Sequence, residues 1–235
     1  MHIAIIETGE PPAPLTTSFP SYAGMMEQML RPQEQKFTFS RRRAFDGDAL
    51  PALADCDGLL ITGSPAGVYD GHAWIDDLLA LICAAADAGK PQFGICFGHQ
   101  AMAKAFGGTV EKSDKGWGVG VHHYDIQARA PWMTPGASAI ACTVSHQDQV
   151  ITPPETAEIC GGSEFCPYGL INYRHAPAAS LQMHPEFDHA FAGELMRIRR
   201  GRIPGPLVDD GLASLAGRSD RAALGQWIAN FFRQA

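Results

Sequence analysis

Pro91-Gln92-Phe93-Gly94-Ile95-Cys96-Phe97-Gly98-His99-Gln100 is the stretch on which the reading of this 235-residue chain turns. Its apolar first half reads as a buried strand that stops at Cys96, and its second half turns at once into a helix. Gly94 and Gly98 stand two residues either side of the cysteine. That is the G-x-nucleophile-x-G elbow, in which small neighbours permit a tight turn that lifts the nucleophile above a sheet edge. A thiol there also meets the partial positive charge of a helix N-terminus. Taken alone, the elbow reads equally well as a buried cysteine ending a strand, so the chemistry has to be argued from the rest of the chain.

Outward from the elbow, short β-rich runs alternate with helix-length runs, the signature of a parallel sheet covered on both faces by helices. The expected strands are His2 to Ile6, Lys36 to Ser40, Gly58 to Thr62 and Gln92 to Ile95. Between and after them, about Ser21 to Arg31, Ala73 to Ala88 and Phe97 to Phe106 carry apolar residues at helical spacing. The texture then changes to strand-rich and partly antiparallel: Thr109-Val110-Glu111, Gly118 to Ile126, Ala139 to Ser145, Leu170 to Tyr173 and Ser180 to Met183. Residues 188–235 are expected to hold two helices. Arg202 to Pro206 breaks the first, and Ser219 offers an N-cap for a last helix with Leu224, Trp227, Ile228 and Phe231 on one face. The expectation is one α/β domain over residues 1–235.

Composition excludes several classes. With 18 Lys and Arg against 25 Asp and Glu, the net charge is 18 − 25 = −7, which argues against nucleic acid as a partner. At 46% hydrophobic and 18% charged residues the chain has an ordinary globular core, and about 70–75% of its unfolded surface can be buried at this length. The longest apolar run, Leu78 to Ala86, lies between Asp77 and Asp87 and is far short of the roughly 20 residues of a membrane helix. The N-terminus lacks a basic region and reaches Glu7 too early for a signal peptide, so a cytoplasmic protein is expected. The six cysteines show no C-x-x-C and read as reduced thiols. Neither G-x-G-x-x-G after the first strand nor G-x-x-x-x-G-K-[ST] is present, so no nucleotide cofactor has a warrant. His122 and His123 would alternate faces, and His184 and His189 are five apart across Pro185, so no metal site is expected.

A nucleophilic cysteine needs a base and a group to orient that base. Ser180-Leu181-Gln182-Met183 leads into His184-Pro185-Glu186, where Pro185 fixes the backbone and both side chains project from one strand end. By itself the tripeptide reads as a turn with a surface glutamate; after a short strand, in a chain with a Cys elbow, it reads as base and orienting carboxylate. The third part is Asp57-Gly58-Leu59-Leu60-Ile61-Thr62-Gly63-Ser64-Pro65-Ala66-Gly67-Val68-Tyr69-Asp70, a strand opening into a Gly- and Pro-containing loop. Such a loop lets a backbone N–H approach an oxyanion, with the Phe97 N–H as second donor, each worth about 10²–10³ in rate.

Together DGLLITGSPAGVYD, FGICFGHQ, Ser145-His146-Gln147-Asp148-Gln149-Val150 and LQMHPEF resemble the class I, triad-type glutamine amidotransferase family, in family order across about residues 57–187. The resemblance implies a flavodoxin-like three-layer α/β fold, with a mostly parallel central sheet and extra antiparallel strands. It implies Cys96 as nucleophile, His184 as general base and then acid, and Glu186 as orienting carboxylate. Ser64 takes the oxyanion position where a second Gly is usual; the donor is backbone, so Ser is tolerable. Gly63, Gln100, Ser145, His146, Gln147 and Asp148 match the segments that contact the glutamine substrate. No cofactor is implied, and no acceptor domain is expected in the chain, which most resembles stand-alone members like the amidotransferase domain of GMP synthase.

Three functions stay open on sequence. The first is a glutaminase that passes ammonia to a separate synthase subunit. The second is a free-standing hydrolase of γ-glutamyl peptides using the same triad, and the third a non-catalytic stress protein with a reactive Cys96. The segments 8–22 and 113–118 are the loops that could border the pocket and set specificity.

Overall fold

A computed structural model describes all 235 residues. In chain order its strands and helices are β1 (His2–Glu7), α1 (Tyr22–Leu30), β2 (Thr38–Arg43), β3 (Gly58–Ile61), α2 (Ala73–Asp87), β4 (Gln92–Ile95), α3 (Phe97–Ala105), β5 (Thr109–Lys112) and β6 (Gly118–Ile126). These are followed by β7 (Ala139–His146), β8 (Asp148–Thr152), β9 (Ala157–Gly162), β10 (Leu170–Tyr173), β11 (Ala178–Leu181), α4 (His189–Ile198), α5 (Gly205–Ser214) and α6 (Arg221–Gln234).

Nine strands form one sheet in the order β2-β1-β3-β4-β11-β10-β9-β6-β7, while β5 and β8 pair separately. The first five are mutually parallel, and from β11 onward the pairing is antiparallel. Alternation along β1 explains the layers. Ile3 and Ile5 face the core built with Met26 and Leu30 of α1 and Leu224, Trp227 and Ile228 of α6. Ala4 and Ile6 face the opposite core, with Leu78 and Ile82 of α2 and Ala101 and Met102 of α3. No helix is long and apolar enough to cross a membrane.

Several expectations shift. Strand β2 runs from Thr38 to Arg43 rather than from Lys36 to Ser40; its Arg41-Arg42-Arg43 end lies on the sheet edge, where charge deters further pairing. β11 ends at Leu181 rather than Met183, because its parallel partner β4 ends at Ile95 and the Gln182 N–H turns instead to the Gly169 carbonyl. β8 and β9 are strands additional to those expected from the sequence. Residues 188–235 hold three helices, with α5 starting inside the Pro204-Gly205-Pro206 punctuation. Asp220, not Ser219, precedes α6. Its carboxylate accepts from the Ala141 N–H at 2.8 Å, tying the helix start to β7, and the Ser219 hydroxyl makes no hydrogen bond.

The arrangement that positions the site is β3-β4-β11. In register, Ile61 lies opposite Gly94 and Ile95 opposite Leu181, so Cys96 and Gln182 emerge level with one another, and the Thr62-Gly63 end of β3 leaves the sheet beside Ile95 and Cys96. Ligands of open α/β sheets bind at such carboxyl edges. Gly98 makes the packing possible: a Cβ there would lie 2.5 Å from the Ile61 carbonyl oxygen. Gly98→Ala is therefore expected to lower unfolding free energy by about 1–3 kcal/mol, as overpacking does, measured by urea denaturation; unchanged stability would show that α3 does not need this approach.

Candidate active site

Cys96 is the single non-glycine residue with positive φ, at φ 53° and ψ −98°. Such a conformation costs about 1–3 kcal/mol and persists only where its surroundings over-determine it. Here the Cys96 N–H donates to the Leu181 carbonyl at 2.8 Å, the Gly98 N–H to the Thr62 carbonyl at 3.1 Å and the Gln100 N–H to the Cys96 carbonyl at 3.0 Å. Gly94 packs so closely on the helix start that a Cβ would lie 2.5 Å from the Gly98 carbonyl carbon. The thiol stands buried at the head of α3, where the helix dipole is positive.

His184 and Glu186 are both buried, with Nδ1 and Oε1 2.7 Å apart. The turn is tied from three sides. The His184 N–H donates to the Thr143 carbonyl, the Thr143 hydroxyl donates to the His184 carbonyl at 2.8 Å, and Arg221 donates to the carbonyls of Pro185 and Glu186. The ring lies flat on Phe187, centroids 4.0 Å apart. With Nδ1–H committed to the carboxylate, Nε2 is left for the thiol. Burial alone pushes the imidazole down, but the charges of Cys96 and Glu186, together with hydrogen bonds to both, reverse this and raise it to about 10. Gly63 explains how closely these groups meet, since a Cβ there would lie 2.8 Å from His184 Cε1 and 3.7 Å from Cys96 Cβ.

Neither the Ser64 nor the Phe97 N–H donates to a protein acceptor. The Thr8 hydroxyl lies 3.0 Å from both the Thr62 and the Gly63 carbonyl oxygens, and the Thr8 N–H donates to Thr62 Oγ1. Because a trans peptide points its C=O and N–H in opposite directions, the Ser64 N–H is turned away from Thr8. Thr8 opens the segment 8–22 expected near the pocket, but its role as a brace has no sequence signal because its partners lie 54 and 55 residues away.

A cavity of about 260 Å³ opens over the thiol, lined among others by Ser64, Cys96, Gln100 and the run Ser145 to Asp148. Trp117 from the 113–118 loop also reaches it. A narrow adjoining recess brings in Gly63, His184, Tyr22 and Arg199. The Gln100 Nε2 donates to the Asp148 carbonyl at 2.9 Å and to Gln182 Oε1 at 3.2 Å. Gln182 in turn directs its Nε2 at Cys96 Sγ, 3.5 Å away. The one sequence signal for this carboxamide relay is that Gln182 follows the last residue of β11, beside the elbow. His146 is buried, with Nδ1 3.1 Å from the Asp148 carbonyl, and burial pushes it down to about 3, so it is neutral. Burial pushes the Asp148 carboxyl up, against the opposing hydrogen bond from Tyr69 and the charge of Lys112. All six cysteines are free.

Glu186→Gln removes one of the causes that raise His184, so its imidazole should titrate lower. In the unsubstituted protein the imidazolium should persist past the ordinary value of roughly 6.5 and be lost only as pH rises through about 10; the stabilisation it provides is present at neutral pH and fades over the same rise. Following the His184 ring resonances by NMR across this range checks it, and titration near the ordinary value in the unsubstituted protein would refute it.

Residues 21–198 match the family described as glutamine amidotransferase class-I. A glutamine amidotransferase-like protein of Schizosaccharomyces pombe is 25% identical over 213 residues, 85% of each chain. A glutamine-hydrolysing GMP synthase subunit from Methanospirillum hungatei is 30% identical over 142 residues, 59% of this chain and 68% of that one. Gamma-glutamyl peptidase 2 of Arabidopsis thaliana is 28% identical over 150 residues, 61% of this chain and 59% of the peptidase. The solved structure of a glutamine amidotransferase from Thermotoga maritima superposes with a TM-score of 0.76, covering 99% of both chains at 18% identity, a likeness of fold. A parallel sheet extended by antiparallel strands, and a match over most of the chain, place this protein in the class I glutamine amidotransferase family.

Proposed function

We propose that the protein hydrolyses a γ-glutamyl amide through a thioester on Cys96. The observation that carries this reading is the strained, buried Cys96 beside a buried His184–Glu186 pair with Nδ1 and Oε1 2.7 Å apart, an arrangement that pushes the imidazole toward its protonated form. The Cys96 sulfur, as thiolate, attacks the γ-carbonyl carbon. The carbon–sulfur bond forms, and the oxyanion that develops faces the unengaged N–H groups of Ser64 and Phe97. The carbon–nitrogen bond then breaks as His184 gives its proton to the leaving nitrogen, which departs as ammonia or an amine. Water attacks the thioester, His184 takes its proton, and the thiolate is regenerated with release of glutamate. Glu186 keeps the ring in the tautomer and orientation that both transfers need. Gln182 supplies a donor to the sulfur, and Gln100 with Ser145, His146, Gln147 and Asp148 forms the wall against which the γ-glutamyl part lies. No step calls for a cofactor.

Where the leaving group is ammonia, a separate synthase subunit is the natural acceptor, as the name of the M. hungatei relative suggests; where it is an amino acid or peptide, none is needed, as in the Arabidopsis peptidase. Product release by the purified chain alone, offered L-glutamine and separately a γ-glutamyl peptide, separates the two. Cys96→Ala should abolish turnover of either with the fold retained, and retained turnover sinks the assignment. Glu186→Gln should slow the reaction less than loss of Cys96, because it orients the base and is not itself consumed; an equal loss would mean that the carboxylate does more.

A further inference from the structure

Two guanidinium groups, Arg199 and Arg202, line the cavity beside Cys96, and neither forms an ion pair with a carboxylate. Arg199 is half-buried, in the short turn after α4, and its one side-chain hydrogen bond goes to a neutral group, Ser145 Oγ at 2.8 Å. Burial pushes its guanidinium down, with the neighbouring charge of Arg202 acting the same way against Tyr22 and Cys96. The third cation of the wall, Lys112, likewise forms no ion pair, but it stands opposite Asp148 in the β5–β8 ladder. A partly desolvated guanidinium beside a second like charge and without a counter-ion is costly, and a bound anion relieves it.

The position of Arg199 says which part of a substrate such an anion belongs to. Arg199, like Ser64 and Ser145, lines both the main cavity and the recess that holds His184, whereas Arg202, Asp148 and Tyr69 line the cavity alone, so Arg202 stands farther out from His184 than Arg199. A leaving nitrogen must lie beside His184 to take its proton. Whatever is attached to that nitrogen therefore starts from the side of the thiol where Arg199 stands.

We propose that Arg199 and Arg202 form a carboxylate subsite for the leaving group, so that the preferred substrate is a γ-glutamyl peptide whose amine half ends in a free carboxylate. This rests on the γ-glutamyl thioester chemistry above and goes beyond it by assigning the leaving group. Arg is suited to the task because its planar fork binds a carboxylate through two parallel hydrogen bonds.

The test is binding, so that it does not depend on turnover. γ-Glutamylglycine, its C-terminal amide and L-glutamine are titrated calorimetrically into the full-length Cys96→Ala protein. The acid should bind about tenfold or more tightly than the amide. Arg202→Ala, at an exposed position, and Arg199→Gln should each shrink that ratio toward unity, and Arg199→Lys should restore part of it. Should Arg199→Gln fail to fold, the Arg202 variant still decides. Equal affinity for acid and amide overturns the subsite, as does no binding of either. So does a loss of glutamine affinity as large as that of the acid, which would put the guanidiniums on the α-carboxylate. Acid-selective binding that depends on both arginines, in a protein whose Cys96 turns over no γ-glutamyl compound, would uphold the subsite and overturn the hydrolytic reading.

Discussion

The hydrogen bond from the Cys96 N–H to the Leu181 carbonyl is the last rung between two parallel strands, and the site is built around it. It fixes Cys96 at the point where β4 becomes α3, and it fixes the end of β11, from which Gln182 and His184 depart. A second tie, from the Gly98 N–H to the Thr62 carbonyl, does the same for the end of β3. Each such bond contributes about 0.5–1.5 kcal/mol net, so the few that hold the elbow are together comparable to the strain of about 1–3 kcal/mol that they retain. The cysteine is therefore kept in an unfavourable backbone conformation by its neighbours rather than by its own preference.

Electrostatics at the site is a contest that burial would win without partners. His184 and Glu186 are almost wholly inaccessible, and desolvation by itself would neutralise the imidazole. The carboxylate at 2.7 Å and the adjacent sulfur decide the outcome in favour of the imidazolium. His146, equally buried but facing a carbonyl and other histidines instead of a carboxylate, goes the opposite way. Two buried histidines are thus pushed in opposite directions, and the difference is which acceptor lies against the ring. The C-terminal helices belong to the same scheme. Arg221 at the start of α6 clamps the His184–Glu186 turn through two carbonyls, and the turn after α4 carries Arg199 to the cavity.

Periodicity and turn chemistry reveal most of the parallel half of the fold. β1, β3 and β4 are apolar runs, α2 opens at Ala73 as its pattern indicates, and the G-x-C-x-G spacing announces the elbow because two backbones approach where a Cβ would not fit. Less legible are β8 and β9, which pair with sequence-distant strands and carry mixed burial patterns. The Ser219 cap fails for a tertiary reason: Asp220 is held by the Ala141 N–H, and that contact spans 79 residues.

By itself the sequence determined the elbow around Cys96, the His184-Pro185-Glu186 turn and the Gly63-Ser64 loop, because each is local: small residues, a fixed proline and a strand end imply their own geometry. Only the tertiary structure decided how these pieces face one another. The parallel register of β3, β4 and β11 sets their ends side by side, the Thr8 brace orients the Ser64 peptide, and the Gln100–Gln182 relay reaches the sulfur across 82 and 86 residues. It also decided that Arg199 and Arg202 share the cavity with the thiol. Charge interactions depend on distance through space, and no spacing along the chain encodes that.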